Sequence, residues 1–138
     1  MAPAAEVPPP RLDHEERLAL ERGVEQFNAG YYFECHDTLE ELWAGIRGPS
    51  RGFFQGLIQV AVALYHLGGG NLAGAQSMIE RALGRFAPYP GRYFGFDLAA
   101  QRRQLEAWRE AIARAEPPVA ESEGRPRWLF EPAPDEEA

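Results

Sequence analysis

The sequence predicts an all-α fold, a compact bundle of about five helices. Three observations lead there. Apolar residues recur at helical spacing in five separate stretches, and no stretch alternates apolar and polar as a half-buried strand would. Glycine, proline and capping residues punctuate the chain at helix-length intervals. One stretch, about residues 51–67, is apolar in almost every direction around a helix, which marks it as the central, buried helix.

Residues 1–10, MAPAAEVPPP, read as a flexible N-terminal arm. The bundle domain is expected over residues 11–115. The first helix starts near Arg11–Asp13 and runs to about Asn28. Leu20, Val24, Phe27 and Tyr31 form its apolar stripe, and Gly30 is a C-terminal stop. The second helix covers about 31–46, with Leu39, Leu42, Trp43 and Ile46 as one buried face. Gly48-Pro49-Ser50 breaks it, and Ser50 is placed to cap the third helix. That helix ends at Gly68-Gly69-Gly70. Asn71 caps a fourth, about 72–86, striped by Leu72, Ala75, Ile79, Ala82, Leu83 and Phe86. The connection is short enough to make helices three and four an antiparallel hairpin. A loop carrying Tyr89, Tyr93, Phe94 and Phe96 is expected to cover one end of the core. Asp97 caps the fifth helix, whose inward residues are Leu98, Leu105, Trp108 and Ile112. Residues 116–138 form a Pro- and Glu-rich tail with one apolar island, Trp128-Leu129-Phe130.

Composition narrows the function. With 138 residues the chain suits one core. A net charge of −7 argues against nucleic acid and against anionic membranes as partners. All 14 basic residues are arginine, so no lysine is present to form a Schiff base or to complete a phosphate loop. The single cysteine, Cys35, permits no intrachain disulfide. It reads as buried filler, and a cytoplasmic location is expected. The longest apolar run is too short to span a membrane. Gly52 and Gly56 read as sites of close helix packing, and Arg51 and Arg81 as surface ion-pair partners.

The chemistry-bearing residues concentrate in FECHDTLEELW, residues 33–43. At about 100° per residue from Leu39, His36 falls at about 60° and Glu40 at about 100°, on the Trp43 flank of the buried stripe. Glu34, Asp37 and Glu41 point away. On the third helix Gln55, Gln59 and His66 fall within about 40° of one direction. That narrow polar stripe is either the wet side of its helix or the partner of the His36/Glu40 flank across a polar seam. The second arrangement would let buried polar groups satisfy one another. Two histidines and a carboxylate, His36, Glu40 and His66, also make a valid ligand set for zinc or non-haem iron. The residues fall short of a zinc-helix signature, which needs two histidines at that spacing, and of the repeated ExxH of di-iron bundles. No cofactor is therefore expected beyond such a divalent ion.

FNAGYYFECHDTLEELW, RGFFQGLIQVAVALYH and GNLAGA resemble, in order and spacing, a bacterial and archaeal family called domain of unknown function 309. The likeness spans about residues 24–86. It implies a compact helical fold. It also implies that Gly30, Glu34, His36, Asp37, Glu40, Trp43, Gln55, Gly56, Gln59, His66, Asn71, Gly74 and Ala75 occupy signature positions. No activity, substrate or cofactor comes with it.

Three functions follow from these residues. The first is a structural or interaction protein, expected to be a homo-oligomer, whose seam is a buried hydrogen-bond network of His36, Glu40, Trp43, Gln55, Gln59 and His66. The alternative is a metal-dependent or acid–base enzyme using His36, Glu40 and His66. The third is an adaptor that reaches a protein partner through the Trp128-Leu129-Phe130 tail.

Overall fold

The computed structural model describes residues 7–114 together with 127, 128 and 130. Five helices make the body: α1 (His14–Ala29), α2 (Tyr32–Ala44), α3 (Arg51–Gly68), α4 (Leu72–Phe86) and α5 (Leu98–Ala113). α1 opens on a capping box. Asp13 accepts from the Glu16 N–H, and Glu16 accepts from the Asp13 N–H. It closes at Gly30, whose φ of 89° a side chain would strain. Asn71 and Asp97 cap α4 and α5 as expected, accepting from the Gly74 and Ala100 N–H groups.

α3 is the central helix. Phe53, Phe54, Leu57, Val60, Ala61 and Ala63 have no exposed surface. α3 packs on α2 and, most extensively, on α4. Two glycines set close approaches. A Cβ on Gly56 would stand 2.5 Å from the Phe86 ring, and one on Gly23 would stand 2.7 Å from Leu39 Cδ2. Gly56 thus does what its position between apolar residues suggested, and Gly52 faces the Tyr89 hydroxyl.

Four expectations are corrected. Ser50 is buried at the start of α3 but makes no capping bond. The Tyr89 hydroxyl takes that place, accepting from the Phe53 N–H at 3.0 Å and donating to the Pro49 carbonyl. Tyr31 is not part of the α1 stripe: the chain turns at Gly30 and leaves its side chain 60% exposed. Arg51 is not a surface ion-pair partner, since its guanidinium lies 3.8 Å from the Trp43 ring centre and donates to the Trp43 and Ile46 carbonyls. The aromatic loop holds a small antiparallel hairpin, β1 (Arg92–Tyr93) with β2 (Phe96–Asp97). Its two-residue turn sets Phe94 at φ 47° and Gly95 at φ 84°, the left-handed pair that such a hairpin needs.

That loop covers one end of the core as expected: Tyr89, Tyr93 and Phe96 are buried. Phe53 is the hub, with Phe54, Phe86, Tyr89, Tyr93 and Phe96 around its ring. Arg102 of α5 donates to the Phe86 and Tyr89 carbonyls and holds the loop down. Of the expected arm, residues 1–6 lie outside the described residues. Val7 packs on the core, and the Pro8 carbonyl accepts from the Tyr93 hydroxyl at 2.6 Å.

Most of the expected tail, Leu129 included, lies outside the described residues. Trp128 and Phe130 are described, and both pack on their own bundle. The Trp128 indole is buried and stacks on Phe27 at 3.8 Å. Its Nε1 donates to Gln101 Oε1. Asn28 clamps its backbone, accepting from the Trp128 N–H at 2.7 Å and donating to the Trp128 carbonyl at 3.2 Å. Phe130 stacks on Phe96 and bridges to it as a strand residue. No helix among the described residues is long and apolar enough to cross a membrane.

Candidate functional site

α2 is fixed to α1 on one side and to α3 on the other. The Thr38 hydroxyl donates to Gln26 Oε1 at 2.7 Å, and Leu39 enters the gap left by Gly23. Cys35, Thr38, Leu39 and Leu42 are therefore buried. The 100° rotation per residue then leaves His36 and Trp43 half-buried on the flank. Glu34, Asp37, Glu40 and Glu41 are exposed. Burial pushes the Cys35 thiol up to about 12, so it is no nucleophile at neutral pH.

The His36 side chain is 22% exposed. Its Nδ1 lies 3.2 Å from the Phe33 carbonyl oxygen and 3.6 Å from Asp37 Oδ1. Its Nε2 lies 3.4 Å from Glu40 Oε1. A carbonyl only accepts, so the Phe33 contact puts a proton on Nδ1. In the neutral ring Nε2 then carries a lone pair, and it faces a carboxylate, which also only accepts. Water, a proton or a cation can satisfy two such acceptors, since the Glu40 side chain is 53% exposed. His36, Asp37 and Glu40 each offer one ligand atom within 4.8 Å of the others. Asp37 and Glu40, however, address opposite nitrogens of one imidazole, so an ion on Nε2 has Glu40 and not Asp37 beside it.

The expected third ligand sits elsewhere. His66 lies near the end of α3, where its Nδ1 meets Asn71 Nδ2 at 3.4 Å. The Asn71 Oδ1 is occupied by the Gly74 N–H, so the amide group turns its donor towards the ring and His66 Nδ1 accepts. No hydrogen bond joins His66 to His36. The Phe33 and Tyr65 rings stand between them, at steps of 5.4, 5.6 and 6.1 Å.

Arg51 over Trp43 at one level and Phe33 against Tyr65 at another make α2 and α3 antiparallel. His36 and Glu40 therefore come beside the middle of α3, the level of Gln55 and Gln59. Gln59 is buried and Gln55 half-buried. Among the described residues two buried polar atoms lack a partner: Trp43 Nε1, a donor on α2, and Gln59 Oε1, an acceptor on α3. The flank is polar as the helical angles indicated, but it is a rim and not a sealed layer, because the Glu40 side chain is 53% exposed.

Sequence reasoning missed a cleft of about 660 Å³ at the open end of the bundle, where α2 begins and α3 ends. Tyr31, Phe33, Glu34, Leu64, Tyr65 and His66 are among its lining. Tyr31 is 60% exposed, Phe33 49% and Tyr65 53%. One signal could have found it. The run Tyr31-Tyr32-Phe33 at a helix start offers three rings, and the rotation per residue lets only one of them face the core.

Residues 20–78 match the model of the family described as Domain of unknown function (DUF309). An uncharacterized protein of Aquifex aeolicus (strain VF5) is 30% identical over 105 residues, 70% of this chain and 32% of that protein. The uncharacterized protein YpuF of Bacillus subtilis (strain 168) is 43% identical over 53 residues, 38% of this chain and 30% of YpuF. The chain thus spans about a third of the length of these two relatives. The likeness read from the three motifs to the domain of unknown function 309 family is borne out over residues 20–78, the stretch that carries both the α2–α3 flank and the cleft.

Proposed function

We propose that this helical unit is an interaction module whose working face is the open end of the bundle. One observation carries the reading: three exposed aromatic rings, Tyr31, Phe33 and Tyr65, gather around the 660 Å³ cleft. Grouped apolar surface on a soluble unit marks an interaction site far more often than single exposed rings do. His36 and Glu40 do not line this cleft. Trp128 and Phe130 are engaged on their own bundle and so are not free to dock in trans. A second copy of the chain, making a homo-oligomer, is one occupant consistent with the face. The test is a photoreactive benzoylphenylalanine placed at Tyr65, with the same group at Arg81 on α4 as control. A defined cross-linked product from position 65 alone is the expected result. Equal products from both positions would sink the reading. A cytoplasmic home fits the single unpaired thiol of Cys35, and recovery of the native protein in a membrane or exported fraction would contradict it.

A second reading has its own observation, His36 Nε2 facing Glu40 Oε1 at 3.4 Å. A zinc or iron(II) ion, or a proton shuttled between the two groups, would relieve that opposition and give a metal-dependent or acid–base enzyme. The buried Gln59 Oε1, at the same level of α3, is a further acceptor near the pair, whereas His66 stands at the far end of that helix. Elemental analysis decides: stoichiometric metal in the purified protein, lost in His36→Ala and Glu40→Gln, supports this reading, and its absence after zinc or iron loading ends it.

A further inference from the structure

The open end also indicates what kind of group it takes, an inference that rests on reading that face as a binding surface. Recognition of an organic cation needs electron-rich ring faces, a fixed negative charge beside them, and no cation of the protein's own in competition. All three coincide here. The Phe33 and Tyr65 rings lie 5.6 Å apart and are inclined at 49°, and each leaves about half its surface in solvent. Tyr31 lines the same cleft. Glu34 is exposed within it, and among the described residues no cation pairs with Glu34. Among the described residues no arginine lines the cleft, although the chain has 14 basic residues.

The His66 Nδ1 is engaged by the Asn71 side chain. Beyond Phe33 stand the exposed carboxylates of Asp37 and Glu40, and the whole chain carries −7. An anion would be repelled by this field. A purely apolar guest would strip water from Glu34 without replacing it, at a cost. A guanidinium or ammonium on an aliphatic stem satisfies the rings and the carboxylate together.

The cleft is open to solvent, and a free small amine would leave much of its surface wet. Exposed Leu72, next to the cleft residue Asn71, extends the apolar surface past the cleft on one side. Asp37 and Glu40 extend the charge on another. We propose that the open end docks a basic segment of a partner protein, with one arginine or lysine side chain laid against Phe33 and Tyr65 and its charge beside Glu34.

The experiment titrates the full chain with a short Leu-Arg-Leu peptide and with the same peptide carrying citrulline, which keeps the shape of arginine and removes its charge. The arginine peptide should bind about tenfold more tightly. Glu34→Gln should erase most of that difference, Tyr65→Ala should weaken the arginine peptide about tenfold, and added salt should weaken it progressively. Arg81→Gln, on another face, should change nothing. Equal binding of the two peptides overturns the cation inference and leaves the binding face standing. No binding of the arginine peptide at millimolar concentration also overturns it, whatever the cross-linking at Tyr65 shows. Free agmatine binding as tightly as the peptide would replace the protein partner with a small amine. Self-association abolished by Tyr65→Ala would assign the face to a second copy.

Discussion

Both ends of α3 are ringed with aromatics, and the two ends behave differently. At the N-terminal end Phe53 sits under Tyr89, Tyr93 and Phe96, and all four are buried. At the C-terminal end Tyr65 meets Phe33, with Tyr31 in the same cleft, and all three stand about half or more in solvent. The number of rings does not separate them. What separates them is chain that crosses over. The hairpin and the arm at Val7–Pro8 close the first end, and the Pro8 and Pro49 carbonyls accept from the Tyr93 and Tyr89 hydroxyls. Nothing among the described residues crosses the second. Rings under cover work for stability, whereas rings left open are available to another molecule.

The comparison can be broken at the closed end with the largest effect. Phe53→Ala removes the hub of five ring contacts and should cost about 3–5 kcal/mol, read as a fall in the denaturant midpoint. Trp128→Ala should cost about 3 kcal/mol and lower the melting temperature, because it empties the slot against Phe27 and leaves Gln101 Oε1 and the Asn28 clamp with less to hold. An unchanged melting temperature would return the tail to the role of a free docking arm.

Alkaline pH should loosen the covered groups next. Burial pushes Cys35 from 9.0 to about 12, and burial, with Tyr89 beside it, pushes Tyr93 from 10.0 to about 12. For both groups the folded value lies above the unfolded one, so their contribution is complete below pH 9 and is lost as pH rises towards about 12. Cys35→Ala should flatten the part of this decline that starts near pH 9, in unfolding curves taken across the alkaline range. The smallest effect on stability belongs to the open end. Tyr65→Ala should move unfolding free energy by no more than about 0.5 kcal/mol, while it weakens binding about tenfold. A large loss of stability there would mean that the ring serves the fold.

What could be read from residues in order divides along a similar line. Helix bodies and the Asn71 and Asp97 caps are local properties, and they stood in the pattern of apolar spacing and capping residues. The Tyr89 hydroxyl capping α3 reaches across 36 residues, and the pull of a neighbouring loop displaced the local candidate Ser50. The hairpin at 92–97 was too short to show alternation. At the site, the rotation per residue put His36 and Glu40 together on one flank, where they are found 3.4 Å apart. It could not separate His66 from them, since distance along a neighbouring helix depends on how two helices are set against each other.

The Asn28 clamp has a consequence for the order of events in folding. It joins residues 100 positions apart, the kind of contact whose closure costs most chain entropy and forms late. No helix depends on it. The five helices can therefore assemble before Trp128 arrives and can remain assembled after it leaves, a partial opening below the threshold of global unfolding. Amide exchange at Trp128 should accordingly run ahead of exchange in α3, and the face of Phe27 becomes the first part of the interior to meet solvent.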